Sequence, residues 1–316
     1  MPSLFGGTAD YGAGGNASVT EQEIGLPEGL IVRGVGGLYY VKGRDDVVHV
    51  LRAKGKFRRQ RITPMVGDRV LYTPDNGDEH GWLEEILPRK NALVRPPVAN
   101  VHRVMLVAAP EPAPDYFLID TLLVMAHEQN IAPVLVANKC DISAALGEEM
   151  RRIYGGMGAP VLEVSAKTGQ GLDALCELMK QGICCFAGQS GVGKSTLLSA
   201  ATGLVLQTGE ISRKTSRGKH TTRHAEILYC GEYCVLDTPG FSLLELWDKL
   251  EPIELKSFYP EFETYEGRCK FSPCYHWSEP GCAVLQAVSN GKIARERLER
   301  YHILLEKVQK AWRERY

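Results

Sequence analysis

The chain has 316 residues, 44% of them hydrophobic, with Lys+Arg 37 against Asp+Glu 38 and a formal net charge of -1. That length allows two or three domains with a sizeable core, and the charge balance excludes a globally basic nucleic-acid binder, so any basic surface must be local. No apolar run is long enough to span a membrane, and an odd count of Cys 9 fits a reducing, cytoplasmic setting better than a disulfide framework.

In chain order, residues 1–26 come first. Met1 to Glu23 is rich in Gly, Ala and Ser, carries no signal-peptide pattern, and is expected to be a disordered tail. Residues 27–93 follow, where short β-like runs alternate with Gly and Asp turns: Gly37 to Val41, Val47 to Leu51, Val66 to Tyr72, and Trp82 to Leu87. Several short strands at this spacing, without helices, predict a small barrel. Within it, Arg52 to Arg61 carries six positive charges and no acid, with Phe57 among them. Such a run is often only a solvated hairpin. Here it suits a phosphate backbone, with Phe57 as a platform for stacking bases. Arg95-Pro96-Pro97 then ends the barrel, because proline continues no ladder.

Residues 94–248 change rhythm. Val101 to Ala109, Pro133 to Ala137, Val161 to Val164 and Ile183 to Ala187 are apolar strand-like runs separated by helical segments, the pattern of parallel βα units. The second run ends in Asn138-Lys139-Cys140-Asp141. The Asp141 carboxylate can accept from guanine N1–H and the exocyclic amine, a pair that adenine does not offer. Asn138 and Lys139 brace that loop, with Lys139 flanking the base. Ser165-Ala166-Lys167 follows the third run, placed so that its backbone can donate to guanine O6.

The fourth run leads into Gly188-Gln189-Ser190-Gly191-Val192-Gly193-Lys194-Ser195. This is a phosphate loop: small residues let backbone N–H groups wrap the β-phosphate, Lys194 reaches the β/γ-phosphates, and the Ser195 hydroxyl completes a Mg²⁺ shell. Thr196 opens the helix-like stretch to Thr202. Further on, Thr221 or Thr222 can close on Mg²⁺, and the sequence does not choose between them. Asp237 can hold Mg²⁺ through water, and the Gly240 N–H is placed to sense a γ-phosphate. Phe241 stands where many GTPases carry a water-orienting glutamine, and Gly191 stands where potassium-activated ones carry asparagine. Intrinsic hydrolysis should therefore be slow. Among groups that could orient the water, His220 is nearest in sequence, beside Lys194 as a candidate catalytic residue.

Residues 249–316 contain Cys269-x₄-Cys274-x-His276-x₅-Cys282, three thiolates and one imidazole with no open position. That donor set suits tetrahedral structural Zn²⁺, one per chain, expected to staple a module too small to build its own core. The chain closes on a charged helix, Ile293 to Arg315, with Leu298, Tyr301, Leu304, Leu305 and Val308 at helical spacing. Basic residues recur in Arg213-Lys214, Arg217 and Lys219, and in the stretch from Lys292 onward.

The guanine-nucleotide motifs thus appear in permuted order, base readers first and phosphate loop later. Taken with Arg52, Gly55, Lys56, Phe57 and Arg58, with Gly218-Lys219-His220-Thr221-Thr222, with Asp237-Thr238-Pro239-Gly240-Phe241-Ser242 and with the Cys/Cys/His/Cys spacing, they resemble the family of ribosome small-subunit-dependent GTPases A (RsgA, YjeQ/YloQ). The resemblance implies an N-terminal OB-fold, a circularly permuted α/β P-loop GTPase domain and a mainly helical C-terminal zinc domain. It also implies a late role in assembly of the small ribosomal subunit, contact with its rRNA and GTPase activity stimulated by that subunit; a monomer that does not engage a membrane is the separate expectation. The residues themselves stop at a zinc-stapled GTP switch on RNA, which leaves open a GTP-gated RNA-binding regulator with weak hydrolysis. A zinc-dependent nucleic-acid enzyme is disfavoured, because four ligands leave the metal no open position.

Overall fold

The computed structural model describes residues 25–75, 79–93, 97–204, 225–237 and 250–315. The tail expected over residues 1–26 lies almost wholly outside them.

The first unit is a closed five-strand barrel. Its strands are β1 (Glu28–Val35), β2 (Leu38–Gly43), β3 (Val48–Ala53), β4 (Arg69–Thr73) and β5 (Gly81–Ile86). They run in the order β1-β2-β3-β5-β4, and β4 closes back on β1. The β3–β5 pair is parallel and the other pairings are antiparallel, which is the topology of an OB-fold. Ile31, Val41, Leu51, Val70 and Leu83, each 0% exposed, fill the interior from alternate positions.

The structure corrects two expectations here. The barrel is not free of helices: the basic run contains α1 (Gly55–Arg59). Phe57 is also no surface platform, since it is 4% exposed and belongs to the core. On one turn of helix only one side can be solvated, and an aromatic ring among cations is the group that leaves water.

Short strands β6 (Ala92–Leu93) and β7 (Val98–Ala99) pair on either side of the proline punctuation. The second unit is a sheet of β8 (Val101–Ala108), β9 (Ala132–Ala137), β10 (Val161–Glu163), β11 (Ile183–Ala187), β12 (Glu226–Cys230) and β13 (Tyr233–Asp237). Its order is β10-β9-β8-β11-β13-β12, parallel except for β12. Alternation along β8 serves two cores. Val104, Leu106 and Ala108 face the layer of α2 (Tyr116–Glu128) and α3 (Ala145–Tyr154). Met105 and Val107 face the layer of α4 (Leu172–Met179) and α5 (Lys194–Thr202). At the sheet's edge, Arg33 of β1 pairs with Glu226 of β12, and Lys42 lies 3.9 Å from the Tyr229 ring centroid.

The third unit comprises a 3-10 helix (Pro252–Phe258), α6 (Pro260–Glu263), α7 (Ala283–Ser289) and α8 (Arg295–Arg313). Leu298, Tyr301, Leu304, Leu305 and Val308 are buried along α8, as their spacing requires. The unit is not coreless, contrary to the expectation from its size: Tyr259, Phe262 and Tyr301 meet with ring centroids 5.0 to 5.2 Å apart, and Cys274 and Cys282 lie at that cluster.

Helix α8 docks on α2 through a buried ionic group. Arg297 is 1% exposed and Asp120 0%. Arg297 Nη1 lies 2.8 Å from Asp120 Oδ1 as an ion pair, while Arg297 Nε donates to Glu261 Oε1 at 2.7 Å. The Tyr154 hydroxyl and Arg300 Nε also donate to Asp120, at 2.7 and 2.5 Å. Burial opposes the charge on Arg297, but Asp120 and Glu261 outweigh it and hold its pKa up. Removing one partner leaves an uncompensated buried charge, so Asp120→Ala should cost about 3–5 kcal/mol. Chemical denaturation will measure this, and a loss below about 1 kcal/mol, the range of surface pairs, would show that the group is not needed.

Candidate nucleotide and metal sites

Three loops converge at the carboxyl ends of β9, β10 and β11, where open α/β sheets place their ligands. The loop after β11 needs glycine at its two ends. Gly188 has φ +136 and a Cβ there would lie 2.2 Å from Val107 O; Gly193 has φ +91 and would meet Asn138 Nδ2 at 2.7 Å. Helix α5 starts immediately after Gly193, so its free N–H groups and dipole face the loop. Lys194 Nζ donates to the carbonyls of Gly188 and Gln189 at 2.8 and 2.7 Å. Burial holds that ammonium below its usual pKa, a desolvated cation that gains from any anion brought to it. Val192 is fully buried, Ser195 half-buried, and Ser190, Gly191 and Thr196 are exposed.

The base-reading loops are tied to this one. Asn138, 2% exposed, donates through Nδ2 to Val192 O at 2.9 Å and accepts at Oδ1 from the Ala166 N–H at 3.4 Å. Lys139, at φ +61, donates to Glu111 O at 2.6 Å and Gly191 O at 3.1 Å. Ser165 Oγ donates to Asp141 Oδ1 at 2.6 Å and accepts from the Thr168 N–H at 3.2 Å. The exposed Asp141 carboxylate is thereby oriented, with acceptor capacity left for a base. Lys167 is exposed beside it. Asn138, Lys139, Asp141, Ser165, Ala166 and the loop 188–195 are thus one constellation, although long stretches of chain separate its parts in sequence.

Asp237 closes β13 at the same edge of the sheet, and only its backbone is described. His220, Thr221, Thr222, Gly240 and Phe241 lie outside the described residues, as do Arg213, Lys214, Arg217 and Lys219. One element had no sequence signal: the turn after β8. Glu111 offers its carbonyl to Lys139, and the Asp115 N–H donates to Gln189 Oε1 at 3.3 Å, so this proline-rich turn clasps the phosphate loop.

The second cluster is Cys269, Cys274, His276 and Cys282, whose ligand atoms all lie within 4.8 Å of one another. Tetrahedral zinc with Zn–S bonds of about 2.3 Å requires sulfur–sulfur edges of about 3.8 Å and slightly shorter nitrogen–sulfur edges. Cys269 and Cys282 are 3.8 Å apart, and His276 Nδ1 is 3.7 Å from Cys269 and 3.3 Å from Cys282. The residues fit the metal. Burial pushes the Cys274 thiol up to about 12, and a divalent cation offsets that penalty by holding the thiolate. Burial and then Lys256 keep His276 below its usual pKa, as a neutral ligand. The Ala283 N–H donates to Cys269 Sγ at 3.4 Å. His302 Nε2 donates to the His276 carbonyl at 2.8 Å, which anchors the metal loop to α8.

A family model described as "RsgA GTPase" matches residues 86–247, and one described as "RsgA N-terminal domain" matches residues 28–83. A curated relative from Ruminiclostridium cellulolyticum, named small ribosomal subunit biogenesis GTPase RsgA, is 43% identical over 279 residues, covering 86% of this chain and 91% of its own. Among solved structures, YjeQ from Thermotoga maritima aligns with a TM-score of 0.77 at 36% identity, over 90% of this chain and 98% of the other. YloQ, titled a circularly permuted GTPase, aligns at 0.77 and 32%, over 93% and 98%.

Two predictions follow from the geometry. Asp141→Asn should weaken GTP about a hundredfold, about 3 kcal/mol for mismatched donors, and favour xanthosine triphosphate, whose C2 carbonyl accepts where guanine donates. Calorimetric titration with both nucleotides checks it, and GTP binding at wild-type strength would show that Asp141 does not read the base. Metal analysis should find about one zinc per chain. Cys274→Ser should lower that content and increase proteolysis after Phe262 while GTP still binds. Full zinc occupancy in a Cys269→Ser/Cys282→Ser protein would rule the site out.

Proposed function

The chain belongs to the RsgA GTPase family, and on that premise we propose that it hydrolyses GTP as an assembly factor in late maturation of the small (30S) ribosomal subunit. It binds the subunit's rRNA and is stimulated by it. The observation that carries the reading is the union of base-reading and phosphate loops through Asn138, Lys139 and Ser165, which needs the ends of β9, β10 and β11 gathered at one edge of the sheet, whatever their order in sequence.

In this reading the Asp141 carboxylate selects guanine, helped by the backbone after Ser165, while Lys139 flanks the base. N–H groups of residues 188–195 wrap the β-phosphate, and Lys194 turns from its own loop's carbonyls to the β/γ-phosphates. Ser195 and Asp237, with Thr221 or Thr222, would hold Mg²⁺, whose charge would offset that of the phosphates. Gly240 senses the γ-phosphate. Phe241 cannot polarise water, so orientation falls to His220 when the subunit is bound. Positioning alone supplies a large rate gain. The cations of 52–61 and 213–219 meet rRNA phosphates. The zinc is structural, and the protein is a cytoplasmic monomer divided at 27–93, 94–248 and 249–316. Among the described residues, no helix is long and apolar enough to cross a membrane.

GTP hydrolysis measured with and without purified small subunits tests the proposal. The expected stimulation is about a hundredfold, about 3 kcal/mol of barrier, eroded by added salt. Lys194→Ala should abolish turnover with the fold intact. His220→Ala should lose most of the stimulated rate and keep GTP affinity. A free enzyme already at the stimulated rate would defeat the subunit dependence; an unaffected His220→Ala enzyme would clear only the histidine.

A further inference from the structure

Holding RNA on the barrel by its bases needs an aromatic face in solvent, and Phe57 does not supply one. Trp82 does. It is 43% exposed while Leu83, the next residue of β5, is 0% exposed, so the pleat turns the indole outward. Single exposed apolar residues are ordinary on soluble proteins, so exposure by itself means little. Position is what distinguishes this one.

In the parallel β3–β5 ladder the register partner of Trp82 is Arg52, the first cation of the basic run. The same row continues to Leu38 on β2 and Thr73 on β4. One pleat further along, Lys54 donates to Glu84 at 2.6 Å, and Thr73 donates to the other Glu84 oxygen at 2.9 Å, so this acid is already engaged. Helix α1 leaves the sheet two residues after Ala53, whose register partner is Leu83. Its Lys56, Arg58 and Arg59, and Arg61 beyond it, therefore start from the edge of the Trp82 row. Against the acids Glu84 and Glu85 on β5, residues 52–61 supply six cations.

We propose that Trp82, with Arg52 beside it, is the stacking platform for an unpaired nucleobase of an RNA strand whose phosphates lie along the cations of 52–61. This rests on the reading of the barrel as an RNA-binding unit given above. Every base offers a π-face, so the platform is tolerant of sequence, and a planar guanidinium next to an indole widens it. A base inside a duplex has both faces covered by its neighbours. The platform therefore favours single strands, loops and bulges over paired RNA.

The full-length protein is titrated with a short A/U RNA lacking self-complementarity and with a blunt duplex of equal length. Trp82→Ala should weaken the single strand about tenfold, at the lower end of about 1–3 kcal/mol per stacked base, and leave the duplex unchanged. Trp82→Phe should retain most of the affinity, which separates stacking from a folding defect, and thermal unfolding of both variants confirms the fold. RNA should quench tryptophan emission in the wild type and not in Trp82→Phe. Arg58→Gln should flatten the salt dependence by about 0.7, one phosphate contact on a single strand, whereas Trp82→Ala keeps the wild-type slope.

Wild-type single-strand affinity in Trp82→Ala, with RNA binding otherwise intact, overturns this inference alone. Equal losses for single strand and duplex overturn it as well. Weakened subunit association with unchanged RNA affinity and quenching would mean the indole meets a protein, and would also overturn it. A wild-type protein that binds no RNA removes the inference together with the reading beneath it.

Discussion

A buried side-chain amide holds the nucleotide site together. Asn138 reaches from the end of β9 to Val192 in the phosphate loop and receives the Ala166 N–H from the loop after β10. A buried amide stripped of partners costs about 1–3 kcal/mol, so each loop is stable in its position because the other two are. The bond is indifferent to chain order. A parallel sheet is built from neighbouring strands, and β9, β8 and β11 are neighbours whichever is made first. That indifference is why a permuted chain can still present an intact guanine-nucleotide site.

The same logic extends through α2. At its N-terminus, the Asp115 side chain accepts from the Leu118 N–H while its backbone donates to Gln189 of the phosphate loop. Little more than a turn later Asp120 takes Arg297, Arg300 and Tyr154. One helix is thus gripped by the phosphate loop at its start and by the C-terminal unit along its body. Charges at such depth persist only when every partner is present, which makes this docking specific as well as strong.

The outer units illustrate how a neutral chain makes local surfaces. Six cations between 52 and 61 are clustered by the turn of α1, and the ring among them goes inward to seal the barrel, leaving the charges outside. In the C-terminal unit the aromatic cluster of Tyr259, Phe262 and Tyr301 carries the packing, and the Cys/His cluster fastens the loop 269–282, which has no helix or strand of its own, onto that cluster and α8.

Much of this was legible in the residues themselves. Periods of two and of 3.6 located the barrel strands, the βα units and the buried face of α8, because alternation and helical spacing report which side leaves water. The loop 188–195 and the stretch Asn138 to Asp141 stood out because glycine, lysine and aspartate are what close backbone approach and charge would demand at a nucleotide. The Cys/Cys/His/Cys cluster was legible because soft donors are scarce and their spacing local. What the sequence could not show were facts that depend on which distant segments meet. Phe57 looked like a surface residue because its neighbours are charged, yet a single helical turn buried it. Trp82 beside Arg52, Glu111 beside Lys139, and Asp120 beside Arg297 join residues far apart along the chain, and no local pattern encodes such pairs. Residue type and short spacing alone set the chemistry available: guanine reading, phosphate wrapping and a cluster of soft donors. Which loops share one site, and which surfaces face outward, came from the folded chain, because strand order and docking are set by packing and buried charge between parts that the chain keeps apart.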